Sequence, residues 1–114
     1  MKRVYIAGKL SDNAVGYIKN VSRMIKLARE VRKLGMAVYV PCNDLLEGLV
    51  DGGFNYDDYF NNSREFLLMC DCVFVCPECF ETSEGTKREI QLAKDAGIPV
   101  FYDTEKLNEF NKGL

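Results

Sequence analysis

The chain has 114 residues, 47% of them hydrophobic and 28% charged, with a net charge of −2. That is the size and make-up of a single globular domain spanning residues 1–114, too short for two. Mild acidity and the lack of a long basic run exclude nonspecific binding of a nucleic-acid polymer, though a helix N-terminus can still hold a small anion.

No apolar run nears the roughly 20 residues of a membrane span, so no membrane partner is expected. Val4–Ala7 is too short for a signal-peptide core, and the sequence reads as cytoplasmic. Cys42, Cys70, Cys72, Cys76 and Cys79 are odd in number and four of them crowd together, which does not suit a disulfide framework.

In chain order, Arg3–Ala7 is a short apolar run ending at Gly8, a buried strand. Ser11, Asp12 and Asn13 offer helix N-cap chemistry. Apolar residues then recur at Ala14, Tyr17, Ile18, Val21, Met24, Ile25, Ala28, Val31 and Leu34, the spacing of a long helix closed by Gly35. Its lysines and arginines form a solvated face. Ala37–Val40 is a second strand stopped by Pro41. Cys42–Asn55 has no strong pattern, and a loop of this length often serves as a lid or binding loop.

A helix follows from Asn55 through Leu68, with Tyr59, Phe60, Phe66 and Leu67 inward. Asp71–Cys76 is the third strand and Pro77–Thr82 a loop. Ser83–Gly97 is a helix with Gly85, Thr86, Glu89, Leu92, Ala93 and Ala96 on one stripe. Ile98–Tyr102 is a fourth strand and Thr104–Asn111 a tail helix. Strands alternating with helices predict an α/β three-layer sandwich with a parallel sheet of four to five strands, in the order 2-1-3-4. Ligands bind such sheets beyond the carboxyl ends of the strands where the winding reverses, here between strands one and three.

That place gathers the chemistry. Glu89 puts a carboxylate on the row facing the sheet and leans back over Gly85 and Thr86, which are small. It is either a nucleophile or acid/base group tuned by burial, or a carboxylate paired with a neighbouring cation or hydroxyl. Ser83-Glu84-Gly85-Thr86 opens the helix with free N–H groups and hydroxyls, able to hold a phosphate or simply to cap the helix. Gly8-Lys9-Leu10-Ser11 follows the first strand and is neither a Walker A loop nor a dinucleotide fingerprint. Gly8 lets a ligand approach the backbone, and Lys9 either neutralises a phosphate or stays solvated. The Cys70–Cys79 cluster competes as a zinc or redox site, but the chain has no histidine, and Cys72 and Cys76 fall in an apolar strand. Asp71 starts its strand at the far end and reads as a cap.

Taken together, Val4-Tyr5-Ile6-Ala7-Gly8, Cys70-Asp71-Cys72-Val73-Phe74-Val75 and Ser83-x-Gly85-x3-Glu89-x3-Ala93 with Gly97-Ile98-Pro99-Val100 resemble the nucleoside 2-deoxyribosyltransferase superfamily, which includes the 2′-deoxynucleoside 5′-phosphate N-hydrolases. The chain looks like a short member. The third motif is the most specific; the first is common among α/β proteins.

The resemblance implies a flavodoxin-like, Rossmann-like fold and cleavage or transfer at the N-glycosidic bond of a nucleoside or nucleoside 5′-monophosphate. Glu89 matches the nucleophile and Tyr5 the tyrosine that steers it. Ser83 matches the phosphate-binding serine of the hydrolases and Gly8 the close-approach glycine. No cofactor and no metal are implied, and the resemblance points to a homodimer or higher homo-oligomer. One position departs. The family carries an aspartate eight residues before the aspartate of the third strand, and counting back from Asp71 reaches Ser63. Asn62, Asp58 and Glu78 are the nearby candidates to replace it. The departure keeps a second reading open, a non-catalytic nucleotide-binding or signalling module of the same fold.

Overall fold

The apolar run Arg3–Ala7 forms strand β1 and Ala37–Tyr39 forms β2, paired in parallel. They belong to a computed structural model that describes residues 1–8, 14–41, 56–76 and 84–114. Helix α1, Ala14–Lys33, joins the two strands, and Gly35 closes it at φ 87°, donating to the Arg32 carbonyl at 2.9 Å. That left-handed conformation is strained for any residue with a Cβ. Helix α2, Tyr56–Leu67, leads to β3, Cys72–Val75. Helix α3, Glu84–Asp95, leads through Gly97, again at positive φ, to β4, Val100–Phe101. Helix α4, Thr104–Lys112, ends the chain. Among the described residues the strand pairings are parallel and the sheet order is β2-β1-β3-β4, as the alternation of elements predicts.

Strand alternation sorts the core into two layers. Val4, Ile6, Cys72, Phe74 and Cys76 face α1 and α4, which contribute Met24, Val31 and Leu107. Tyr5, Ala7, Val73 and Val75 face α2 and α3, which contribute Leu67, Ile90 and Ala93. Three details differ from the sequence pattern. On α3 the buried row is Thr86, Ile90 and Ala93, while Glu89 and Leu92 sit on its shoulder and Ala96 is exposed. On α2 Phe66 is 43% exposed, because Ser63 rather than Phe66 completes the inward row with Phe60 and Leu67. On α1 Ile18 and Ile25 are exposed, since a helix laid on one sheet face buries a narrower stripe than its apolar spacing spans.

The strands are also shorter at their ends than the apolar runs. Asp71 stands before β3 and accepts a 2.7 Å bond from the Arg3 N–H, the capping role expected of it at the end away from the site. Pro99 precedes β4, and its carbonyl accepts from the Val73 N–H at 2.9 Å. No described helix is long and apolar enough to cross a membrane.

Candidate functional site

Tyr5 lies mid-strand in β1, opposite Tyr39 of β2 and Val73 of β3, and its side chain is fully buried on the α2/α3 face. An aromatic stack holds the ring. Tyr39 packs on Tyr5 with centroids 5.5 Å apart, and Phe66 packs on Tyr39 at 4.8 Å and 7°. Tyr39 was not marked by its motif. The signal that could have found it is the parallel register that sets it beside Tyr5.

The groups that act on the phenol are Glu89 from α3, the buried Ser63 from α2 and the Tyr39 phenol beside it. Burial, and then the Glu89 carboxylate, hold the Tyr5 phenol well above its ordinary pKa, while the Ser63 hydroxyl pulls it the other way. The phenol therefore keeps its proton across the neutral range. Tyr5 Oη and Glu89 Oε2 are both sealed from solvent, and these two atoms make no short hydrogen bond among the described residues. Glu89 has interactions with other neighbours as well. Such contacts are commonly long before substrate binds and tighten afterwards.

Helices α2 and α3 are tied together beside these groups. The Arg88 guanidinium lies 3.7 Å from the centroid of the Phe60 ring and 3.3 Å from Asp57 Oδ1. Phe60 and Ser63 share the inward row of α2, and Arg88 precedes Glu89 on α3.

Of the other predicted site residues, Gly85 is half-buried in the first turn of α3, one turn before Glu89. Asn62 is exposed, on the solvent side of Ser63. Asp58 is also exposed. Gly8 is buried, and the space a side chain would need is taken: a Cβ there would lie 2.9 Å from Cys76 Cβ and 3.3 Å from Met24 Sδ. The glycine thus serves the contact between β1, β3 and α1. Lys9, Ser83 and Glu78 lie outside the described residues, as do the Ser11–Asn13 cap and the Cys42–Asn55 and Pro77–Thr82 loops.

Cys72 and Cys76 are core residues. Burial, with help from Asp71, pushes the Cys70 thiol from 9.0 up to about 11. Burial likewise pushes Cys72 up to about 12. Both stay protonated near neutrality, the opposite of a reactive or metal-ligating thiolate. Among the described residues no three His, Cys, Asp or Glu side chains are grouped to hold a metal. Cys42 and Cys79 lie outside the described residues.

The arrangement of sheet and helices is found in solved structures. One is a 2-deoxyribosyltransferase from the psychrotolerant bacterium Bacillus psychrosaccharolyticus, with 24% identity and a TM-score of 0.61 over 86% of this chain and 69% of the other. Another is a conserved protein from Enterococcus faecalis V583, with 21% identity and a TM-score of 0.70 over 98% of this chain and 76% of the other. At these identities the likeness is one of fold, and the fold is the flavodoxin-like one of the deoxyribosyltransferase. No curated protein matches the sequence. Residues 2–102 match the family model described as a domain of unknown function, DUF4406, and the chain belongs to that family.

Proposed function

We propose that the protein is an N-glycosidase or nucleoside deoxyribosyltransferase in which Glu89 is the nucleophile and Tyr5 its steering partner. The observation that carries this reading is the meeting of the Glu89 carboxylate with a buried, proton-retaining phenol under the helix that follows the third strand. The likeness of fold to a 2-deoxyribosyltransferase supports it. Glu89 attacks the anomeric carbon; a C–O bond forms as the C–N bond to the base breaks. The bond's electron pair leaves with the base, which takes up a proton. Water or a second base then attacks the same carbon, releases a proton and frees the carboxylate.

The substrate in this reading is a nucleoside or nucleoside 5′-monophosphate. Lys9 and Ser83 incline it towards the phosphorylated form, and Gly85 leaves room for the sugar in front of Glu89. The working protein is cytoplasmic and a homo-oligomer. Incubation with deoxynucleosides and their monophosphates, followed by chromatography for free base, tests the scheme. Base release by the wild type and its loss by at least about 100-fold in Glu89→Ala are expected. Equal release by that variant overturns Glu89 as nucleophile.

Ser63 favours one other reading, a nucleotide-binding module without turnover, since a hydroxyl stands where the resemblance expects a carboxylate. If no base is released and the same ligands raise the melting temperature, that reading holds.

A further inference from the structure

We infer that Arg88 receives the 5′-phosphate of a nucleotide substrate, and that Asp57 holds its guanidinium until the substrate arrives. This role rests on the reading of the site given above and adds the group that tells a nucleotide from a nucleoside. Arg88 immediately precedes Glu89 on α3 and reaches across to α2, where its guanidinium lies 3.7 Å from the Phe60 ring centroid. Asp57 lies in the first turn of α2, and its Oδ1 accepts from Arg88 Nη1 at 3.3 Å. A helix that leads into a strand of a parallel sheet runs back along it. The first turn of α2, ahead of β3, therefore stands at the carboxyl edge, where such sheets bind ligands.

The two partners of Arg88 differ in how firmly they hold it. A guanidinium packed on an aromatic face keeps its in-plane N–H donors for an oxyanion, and two of them match phosphate oxygens in parallel. Phe60 is only 9% exposed on the inward row of α2, so the platform under Arg88 is fixed. Asp57 is not: its side chain is 73% exposed and that of Arg88 49%, and an ion pair so open to water is weak. The carboxylate brings one negative charge, whereas a phosphomonoester brings about 1.5 to 2 near pH 7. An arriving phosphate displaces Asp57 while Arg88 stays on Phe60.

The test compares a deoxynucleoside with its 5′-monophosphate in base release. The ratio of the two KM values, nucleoside over monophosphate, reads what the phosphate contributes. Arg88→Met keeps an apolar stem against Phe60 and loses the charge, and should lower that ratio by about 10-fold or more, the range of a lost charged hydrogen bond. Arg88→Lys keeps the charge without the fork and should recover only part of it. Asp57→Asn frees the guanidinium and should raise the ratio by about 1.5- to 5-fold. Opposite shifts from the two ends of one ion pair separate a phosphate receptor from a structural tie, whose loss would move both variants the same way. A ratio unmoved in Arg88→Met, or moved in the same direction by both variants, overturns the inference. If the wild type releases no base, the glycosidase reading fails, and the melting temperature decides the role of Arg88. The monophosphate should then raise it more than the nucleoside does, and Arg88→Met should remove the difference. A wild type stabilised no more by the monophosphate than by the nucleoside overturns the inference as well.

Discussion

At Gly8 a single hydrogen atom decides how closely β1 and β3 approach beyond their last paired residues. Gly8→Ala would place a methyl 2.9 Å from Cys76 Cβ, an atom fixed to backbone, and 3.3 Å from the Met24 sulfur, which can yield. The strand end must shift, so the substitution should destabilise the fold by about 1–3 kcal/mol in urea unfolding. A ligand-approach role alone would weaken binding and leave unfolding unchanged. Titration gives a second prediction at this scale. Tyr5, Cys70 and Cys72 all have pKa values raised by folding. Once pH passes their unfolded values, near 9 to 10, the unfolded chain binds fewer protons than the folded one, and stability falls as pH rises. Each group contributes up to about 1.4 kcal/mol per pH unit within its window. The melting temperature should therefore drop between pH 9 and 11, and less so in Cys70→Ser. Iodoacetamide should label Cys70 and Cys72 slowly at pH 8 unless the protein is unfolded.

Among the elements, the tail helix α4 closes the α1 face of the sheet. Asp103 caps it, accepting from the Lys106 N–H at 2.8 Å, and Gly113 ends it in the left-handed conformation. Leu107 is fully buried, Phe110 packs on Phe101 with centroids 5.1 Å apart, and Asn111 donates to the Leu34 carbonyl at the end of α1 at 2.9 Å. Leu107→Ala should cost about 2–5 kcal/mol by urea unfolding, the range for a buried leucine. Asp103→Ala should cost only about 1 kcal/mol, the value of an N-cap. Helix α1 was legible in the sequence because its apolar period and its closing glycine agree at Ala14–Lys33. Faces were less legible. Periodicity marked Ala96 as inward and passed over Ile90, because which side of an amphipathic helix meets the sheet depends on the crossing, and no local spacing encodes that. Topology marked the place of Glu89 in the sequence, and Tyr5 beside it was implied by the family resemblance alone. Tyr39 and the hydroxyl of Ser63 enter through register and helix packing, which are long-range properties.

For the molecule as a whole, the outer face of α1 calls for explanation. Val15, Ile18 and Ile25 are 64%, 62% and 49% exposed, and with Ser22 they form an i, i+3, i+7, i+10 seam. That spacing suits one helix packing along another, and single exposed aliphatics would need no such order. The homo-oligomer proposed above would meet along this seam. Lys19, Lys26 and Arg29 are exposed on the same helix and would repel their counterparts in a second copy. Such association should tighten as salt screens the charges. Light scattering coupled to gel filtration should give a mass above the 13.0 kDa of one chain, with the larger species gaining at 0.5 M salt over 0.05 M. Ile18→Glu with Ile25→Glu should give a single-chain mass at both salt concentrations. Because both side chains already face solvent, the melting temperature of the separated chain should change little. A wild type that stays at the mass of one chain at both salt concentrations would show that the seam is not used between copies.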